Sequence, residues 1–169
     1  EYDIDTLILA TGFDAMTGAL TSLDIVGRNG IILRDQWKQG AKSYLGLGVS
    51  NFPNLFTITG PGSPSVLSNM MPSIEQHVNW IADCIGWMID NNKNVIESSL
   101  SAEEEWMDLV NEIAGMTIFK STESWYNGSN IDSKAKAFLP FIGVPVYTEK
   151  LEEVTSNNYQ GFIFDTSNN

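Results

Sequence analysis

The sequence predicts an α/β fold, and three stretches carry that prediction. Residues 4–10 (IDTLILA) are apolar and β-branched with little alternation, which is typical of a strand buried on both faces of a sheet. Residues 55–59 (LFTIT) form a second strand-like run, which stops at the turn-forming residues 60–62 (GPG). Residues 74–89 then carry apolar side chains at steps of three and four, which indicates a helix with one face in the core.

This helix is expected to begin between Met70 and Ser73 and to end near Asn91. Pro72 suits its first turn, because the N–H group that proline lacks has no partner there. The start of a helix also carries partial positive charge, so a helix that follows a tight turn favours contact with an electron-rich group. Its core face is predicted to consist of Ile74, Val78, Ile81, Ile85, Met88 and Ile89.

Shorter elements are predicted before this helix. Asn29 and Gly30 separate two apolar runs within residues 24–33, a pattern that predicts a hairpin with a type I′ turn. Residues 35–49 are interpreted as a polar, glycine-containing connection.

After it, a second helix is expected from Ser101, with Ser101 and Glu104 forming a capping box. The acidic run 103–105 is interpreted as a solvated face of that helix. Residues 148–156 predict a short helix and residues 161–164 a last short strand.

Composition limits the classes of protein. The 169 residues are 43% hydrophobic, which is enough for a globular core. A formal net charge of −12 argues against nucleic-acid binding, which needs clustered Lys and Arg. No apolar run approaches the length of a membrane span. Cys84 is the only cysteine, which excludes an internal disulfide and favours a cytoplasmic location.

The residues for an autonomous catalyst are missing from the sequence. His77 is the only histidine, and it lies seven residues before Cys84, about two helical turns away and too far for a nucleophile–base pair. A zinc site fails on the number of His and Cys ligands. The dinucleotide fingerprint G-x-G-x-x-G is broken because Ser65 stands where the third glycine belongs. We therefore assign no catalytic residue and no metal ligand, and we interpret His77 as packed or hydrogen-bonded locally.

Three separated blocks nevertheless carry a family resemblance. They are residues 10–18 (ATGFDAMTG), residues 60–78 (with GPGSPS, SNM and SIEQHV) and residues 124–128 (SWYNG). In this order and spacing they resemble the C-terminal part of Baeyer–Villiger monooxygenases. The resemblance implies a partial FAD/NAD(P)-binding, Rossmann-like flavoprotein domain with C-terminal helices and loops, whose N-terminal half is missing.

The resemblance also implies a division of the chain. Residues 1–92 correspond to the C-terminal half of the FAD-binding domain, and residues 93–169 to a helical and loop extension packed on it as one structural unit. Glu1 is not a start methionine, and residues 4–10 read as a strand almost at once. We therefore expect the chain to be a piece of a longer protein whose N-terminal FAD and NADPH domains are its main partner.

Five residues match family positions with a role. Met70 matches the position whose backbone meets the flavin ring, and Trp125 matches the mobile-loop tryptophan that contacts the nicotinamide cofactor. Ser65, Val66 and Leu67 match a loop that lines the ketone pocket in a member of the family. From the local residues alone, Met70 as a capping and packing residue and Trp125 as a loop anchor remain open.

The implied activity is that of an FAD- and NADPH-dependent enzyme that uses O₂ to convert ketones to esters or lactones. Another flavin monooxygenase, oxidising nitrogen or sulfur, and a non-catalytic packing or interaction module are the alternatives. The isolated chain is expected to be inactive, to bind neither FAD nor NADPH tightly, and to be marginally stable, because strands such as residues 4–10 would expose edges.

Overall fold

The computed structural model describes residues 2–10, 13–64, 67–122, 124–129, 135 and 137–166. Within these residues the chain mixes five α-helices, four short 3₁₀ segments and one two-stranded sheet. The helices are α1 (Gly18–Thr21), α2 (Leu33–Gln36), α3 (Met70–Asp90), α4 (Leu100–Gly115) and α5 (Val144–Ser156). The 3₁₀ segments are Arg28–Gly30, Trp37–Gln39, Ile118–Ser121 and Trp125–Asn127, and the strands are β1 (Val95–Ser98) and β2 (Phe162–Asp165).

The bounds predicted for α3 are confirmed. It spans 21 residues from Met70 to Asp90, and the side chain of Asn69 caps it by accepting a hydrogen bond from the Met71 N–H at 3.1 Å. An asparagine at this position satisfies one of the amides that the helix itself leaves without a partner.

The predicted core face of α3 is confirmed at Met88, which is buried, and at Ile81, which packs against the core, but it is wrong for three of its other members. Val78, Ile85 and Ile89 are 45%, 43% and 69% exposed. Most of the buried residues lie on a neighbouring face, rotated by roughly 100°. On this face Trp80 donates from Nε1 to Thr155 Oγ1 of α5 at 3.0 Å. The buried residues are Ser73, His77, Trp80, Cys84 and Met88.

Neither of the two runs predicted as strands forms one. Residues 4–10 lie in no strand and expose large apolar side chains, including Leu7 (69%) and Ile8 (82%). A strand requires a hydrogen-bonded neighbour, and no part of the described chain pairs with this run. Residues 55–59 contribute only a bridge between Phe56 and Gly48.

The sheet forms elsewhere. β2 confirms the last strand predicted from the sequence, and it pairs antiparallel with β1, which the sequence did not predict. The register runs from Val95 opposite Asp165 to Ser98 opposite Phe162. The sequence of β1 (VIES) is neither continuously apolar nor strictly alternating, so periodicity does not identify it.

The segment interpreted as a polar connection is the centre of the core. Every residue from 43 to 50 is buried, and Leu45, Leu47 and Val49 have no exposed surface. The segment has no regular structure, so its backbone groups must find partners one by one. The N–H of Tyr44 donates to the carbonyl of Gly48 at 2.8 Å, for example.

The structure decides three local predictions for segments around this core. The Asn29–Gly30 turn is confirmed: φ is +55° and +76° at its two central residues, as a type I′ turn requires. The predicted cap of α4 is wrong, because Ser99 rather than Ser101 accepts from the Ala102 N–H. Helix α5 begins four residues earlier than predicted, with a proline at its second position.

The interpretation of the acidic run as a solvated face is confirmed for Glu104 and Glu105, which are exposed, and is wrong for Glu103. Its carboxylate is 1% exposed, and Ser50 donates to it twice, from N at 2.8 Å and from Oγ at 2.9 Å. Burial raises the pKa of Glu103, against which the two Ser50 hydrogen bonds act. The pair ties α4 to the end of the buried segment.

Replacing Glu103 by Ala is expected to destabilise the chain by about 3 kcal/mol, because two buried Ser50 donors lose their acceptor. Glu104→Ala, one position further along α4 and exposed, is the matched control and should change the free energy of unfolding by less than about 0.5 kcal/mol. Urea unfolding measures both. Equal midpoints for the two variants would contradict the role given to Glu103.

Two glycines should respond to alanine in opposite directions. Gly86 lies within α3 with open space around it, so Gly86→Ala is expected to stabilise the chain by about 0.5–1 kcal/mol. Gly46 has φ +72°, and a Cβ there would lie 2.4 Å from that of Ser63, so Gly46→Ala should destabilise by more than about 1 kcal/mol. Thermal unfolding followed by circular dichroism measures both, and a destabilised Gly86→Ala would contradict the account of α3.

Candidate functional site

The structure describes three of the five predicted site residues. Ser65 and Val66 lie outside the described residues, as do Thr11 and Gly12 of the first sequence block. Leu67 is half-buried and lies three residues before α3. Met70 is the first residue of α3, and Trp125 opens the 3₁₀ segment Trp125–Asn127.

The turn at residues 60–64 faces the core. All five residues are buried, and their carbonyls are held from inside the molecule. Trp106 donates from Nε1 to the carbonyl of Gly62, and the N–H of Phe141 donates to the carbonyl of Ser63, both at 2.9 Å. This turn therefore offers no outward amide to a ligand. It serves as the buried support from which the chain leads to α3.

The start of α3, in contrast, lies at the surface. Met70 is half-buried and Met71 is 63% exposed. No acidic side chain occupies the first turn, so the partial positive charge of the helix terminus is not neutralised from within the helix. The Met71 N–H is bonded to the Asn69 side chain. An electron-rich group placed here would meet the positive end of a long helix.

Two turns into the same helix, His77 joins three parts of the molecule. Its Nδ1 accepts from the Thr59 N–H at 2.9 Å, and its Nε2 lies 2.7 Å from the hydroxyl of Tyr147 on α5. That hydroxyl donates to the carbonyl of Leu45 at 2.6 Å. The expectation that His77 is packed is confirmed, but its hydrogen bonds are not local, because its partners lie 18 and 70 positions away in the sequence.

The imidazole of His77 is neutral. It has no exposed surface, and burial lowers its pKa from 6.5 to about 4. Burial likewise holds the pKa of the Tyr147 hydroxyl well above its ordinary value. Neither group therefore carries charge at neutral pH, and the two interact as hydrogen-bonding dipoles.

Trp125 lies in a part of the chain separate in sequence from α3, in the 3₁₀ segment Trp125–Asn127. Its ring stacks on that of Tyr126 with centroids 4.1 Å apart and planes 26° apart, and it is 40% exposed. Ser124 caps this segment by accepting from the Tyr126 N–H, and Asn127 completes a capping box. A short, capped turn thus presents a large aromatic face at the surface.

Trp125 also borders a cavity of about 270 Å³ that sequence reasoning missed. Two cations line it: Arg34, which donates to Asp24 at 2.9 Å, and Lys38, which pairs with Asp35 at 2.8 Å. Met70 and Leu67 are not among its lining residues, so the structure does not bring the predicted flavin and nicotinamide contacts into one cavity. No sequence signal marks this cavity, because its walls come from segments about 90 residues apart.

The described part of the chain offers neither a metal site nor a membrane-spanning helix. No group of three or more His, Cys, Asp or Glu residues there is placed to hold a metal ion. No helix there combines the length and the hydropathy needed to cross a bilayer.

Comparison with known proteins gives close relatives. A phenazine N-monooxygenase of Lysobacter antibioticus is 41% identical over 96% of this chain and 30% of its own length. A Baeyer–Villiger monooxygenase of Pseudooceanicola batsensis is 39% identical over 98% of this chain and 30% of its own length. No family model matches the chain.

Solved structures agree with these relatives. A closed crystal structure of cyclohexanone monooxygenase superimposes with a TM-score of 0.92 at 38% identity, over 98% of this chain and 31% of that one. A crystal structure of OTEMO in complex with FAD and NADP gives a TM-score of 0.88 at 34% identity, over 97% of this chain and 30% of that one. The mixed helix and strand content thus matches a partial region of flavin monooxygenase structures, as the sequence predicted.

The chain spans about 30% of the length of the relatives it matches, and nearly all of its own length takes part in the match. Over that length it is homologous to Baeyer–Villiger and related flavin monooxygenases.

Proposed function

We propose that this chain is part of an FAD- and NADPH-dependent Baeyer–Villiger monooxygenase that converts ketones to esters or lactones with O₂. The observation that carries the proposal is the superposition on cyclohexanone monooxygenase, with a TM-score of 0.92 over 98% of the chain. At 38% identity this similarity extends to sequence and is not one of fold alone.

The start of α3 suits a flavin. The proposed contact is the backbone around Met70, where the terminus of a 21-residue helix carries positive partial charge and the first turn holds no acidic side chain. Bound flavin would supply the oxygen chemistry, while the chain supplies position and electrostatics. Pro72 has no N–H and the Met71 N–H is bonded to the Asn69 side chain, so the proposed backbone donor nearest the terminus is the N–H of Met70.

Trp125 suits a nicotinamide cofactor. The indole N–H groups of Trp37, Trp80 and Trp106 all donate to partners within the chain. The indole N–H groups of Trp87 and Trp125 have no acceptor among the described residues, and of the two rings that of Trp125, 40% exposed, is the one at the surface. An exposed ring with an available donor can cover a ligand and bond one of its hydroxyls.

Residues 1–92 and 93–169 are proposed as the closing half of an FAD-binding domain and its extension. The two parts share one core, since Trp106 and Tyr147 bond to backbone groups of Gly62 and Leu45. The exposed apolar residues 4–10 are proposed to pair with the FAD and NADPH domains of the same polypeptide. Ser65, Val66 and Leu67 remain the proposed wall of the ketone pocket.

N-oxidation is a second candidate, because the phenazine N-monooxygenase is 41% identical to the chain. The full-length protein that contains this chain distinguishes the two. With NADPH and O₂, the proposal predicts one ester or lactone formed from a cyclic ketone for each NADPH oxidised. Oxidation of a phenazine or a thioether without any ester would overturn it, and failure to oxidise any of these substrates would favour a non-catalytic module.

Trp125→Ala in the full-length protein is expected to raise KM for NADPH about tenfold, the effect of losing roughly 1.4 kcal/mol of stacking and hydrogen bonding. Tyr126→Phe keeps the stacked ring and is the control, which should leave that KM within about twofold. Steady-state NADPH oxidation measures both. An unchanged KM in Trp125→Ala would contradict the role proposed for the indole.

A further inference from the structure

We propose that His77 and Tyr147 are positioning residues, whose buried hydrogen bonds hold the turn at residues 59–64 and the segment at residue 45 against α3 in the conformation that the site requires. The consequence for catalysis rests on the function proposed above. The positioning itself rests on contacts within this chain and is tested separately.

The direction of each hydrogen bond follows from the donors available. A backbone N–H can only donate, so the Thr59 N–H fixes His77 Nδ1 as an acceptor. In a neutral imidazole the proton then resides on Nε2, which donates to the Tyr147 oxygen at 2.7 Å. The Tyr147 proton in turn goes to the Leu45 carbonyl at 2.6 Å. Every donor has an acceptor, and only one tautomer satisfies all three bonds.

At each end of this chain of hydrogen bonds lies a residue with a backbone conformation that is rare for its residue type. Thr59 has φ +52° although it is β-branched, and Leu45 has φ +60°. Left-handed backbone costs a non-glycine residue roughly 1–2 kcal/mol and persists only where its surroundings hold it. His77 bonds the N–H of Thr59 and Tyr147 bonds the carbonyl of Leu45, so each strained residue is held at a backbone group.

The same two segments are bonded to each other. Thr57 Oγ1 donates to the carbonyl of Gly46 at 2.8 Å, and the N–H of Gly60 donates to the same carbonyl at 3.2 Å. Leu45 is thus the neighbour of the accepting residue, and Thr59 lies between the two donating residues. Loss of the His77–Tyr147 bonds removes side-chain support from both segments at this contact.

These contacts explain why α3 buries a polar residue in the middle of its core face. An apolar side chain at position 77 would leave the Thr59 N–H and the Tyr147 hydroxyl without one partner each, a cost of roughly 1–3 kcal/mol for each buried group. Two helical turns separate position 77 from the start of α3, so the bonds fix how that terminus lies on the buried turn.

The single histidine makes the tautomer directly observable. In this chain at pH 5.5, a full unit below the ordinary histidine pKa, ¹⁵N chemical shifts are expected to show a neutral ring protonated at Nε2. A charged imidazole, or the other tautomer, would overturn the proposal.

Amide hydrogen exchange tests the positioning. Tyr147→Phe keeps the ring but removes the hydroxyl, and is expected to speed exchange of the Thr59 and Gly60 amides at least tenfold. Tyr44→Phe is the matched control, because the Tyr44 hydroxyl also donates to a backbone carbonyl, that of Gln160, at 3.0 Å. It should leave exchange at residues 59 and 60 unchanged. Equal exchange in the two variants would overturn the proposal.

Two substitutions of His77 test its two hydrogen bonds separately, because each replaces only one of the ring nitrogens. His77→Asn places an oxygen where Nδ1 lies and is expected to keep the slow exchange of Thr59. His77→Gln places a donor near Nε2 but no acceptor at Nδ1, so the Thr59 amide should exchange faster. The reverse order would contradict the assigned directions.

In the full-length enzyme, Tyr147→Phe is expected to raise KM for the ketone at least fivefold while KM for NADPH stays within twofold. Equal shifts in both constants, or none, would overturn the link to the site. If the wild-type enzyme converts no ketone, the proposed function fails, while the exchange and tautomer results still decide the positioning.

Discussion

The structure depends on a constraint set by its core, which is built on backbone without regular structure. Residues 43–50 and 60–64 are buried, yet neither segment pairs in a sheet or coils into a helix. Buried peptide groups must be hydrogen-bonded. In a sheet a neighbouring strand would provide these bonds, and here side chains from the helices provide them. Glu103, Trp106 and Tyr147 do so, each from a different turn of α4 or α5.

This constraint explains the arrangement of the helices and connects it to the proposed function. A helix that satisfies specific backbone groups has its rotation and height fixed by hydrogen-bond geometry, which is more restrictive than apolar contact. Helix α3 is fixed in this way through His77, and its start therefore has a defined place at the surface. A terminus placed so firmly can stabilise charge on a ligand with little rearrangement, which is what electrostatic preorganisation requires.

The sequence predicted the elements better than their environments. The bounds of α3 followed from Pro72 in its first turn and from the period of its apolar residues, and the turn at Asn29 and Gly30 followed from local backbone preference. Burial depends on which partners are present, and periodicity contains no information about them. The apolar stripe with Val78, Ile85 and Ile89 is therefore exposed, and the face with His77 is buried. Residues 4–10 form no strand for the same reason.

The same distinction applies to the candidate site, where the sequence located individual residues but not the contacts between them. The three sequence blocks placed Met70 and Trp125 by resemblance, and both lie at the surface on capped elements, although the roles assigned to them stay predictions. The hydrogen bonds of His77, the buried carboxylate of Glu103 and the cavity beside Trp125 were beyond sequence reasoning, because each joins residues far apart in the chain.

A crystal structure of the full-length protein with FAD bound tests the central claim most directly. We expect the backbone N–H of Met70 to lie about 3 Å from the pyrimidine edge of the flavin, at hydrogen-bond distance. A flavin bound elsewhere, with the start of α3 covered by protein, would contradict it.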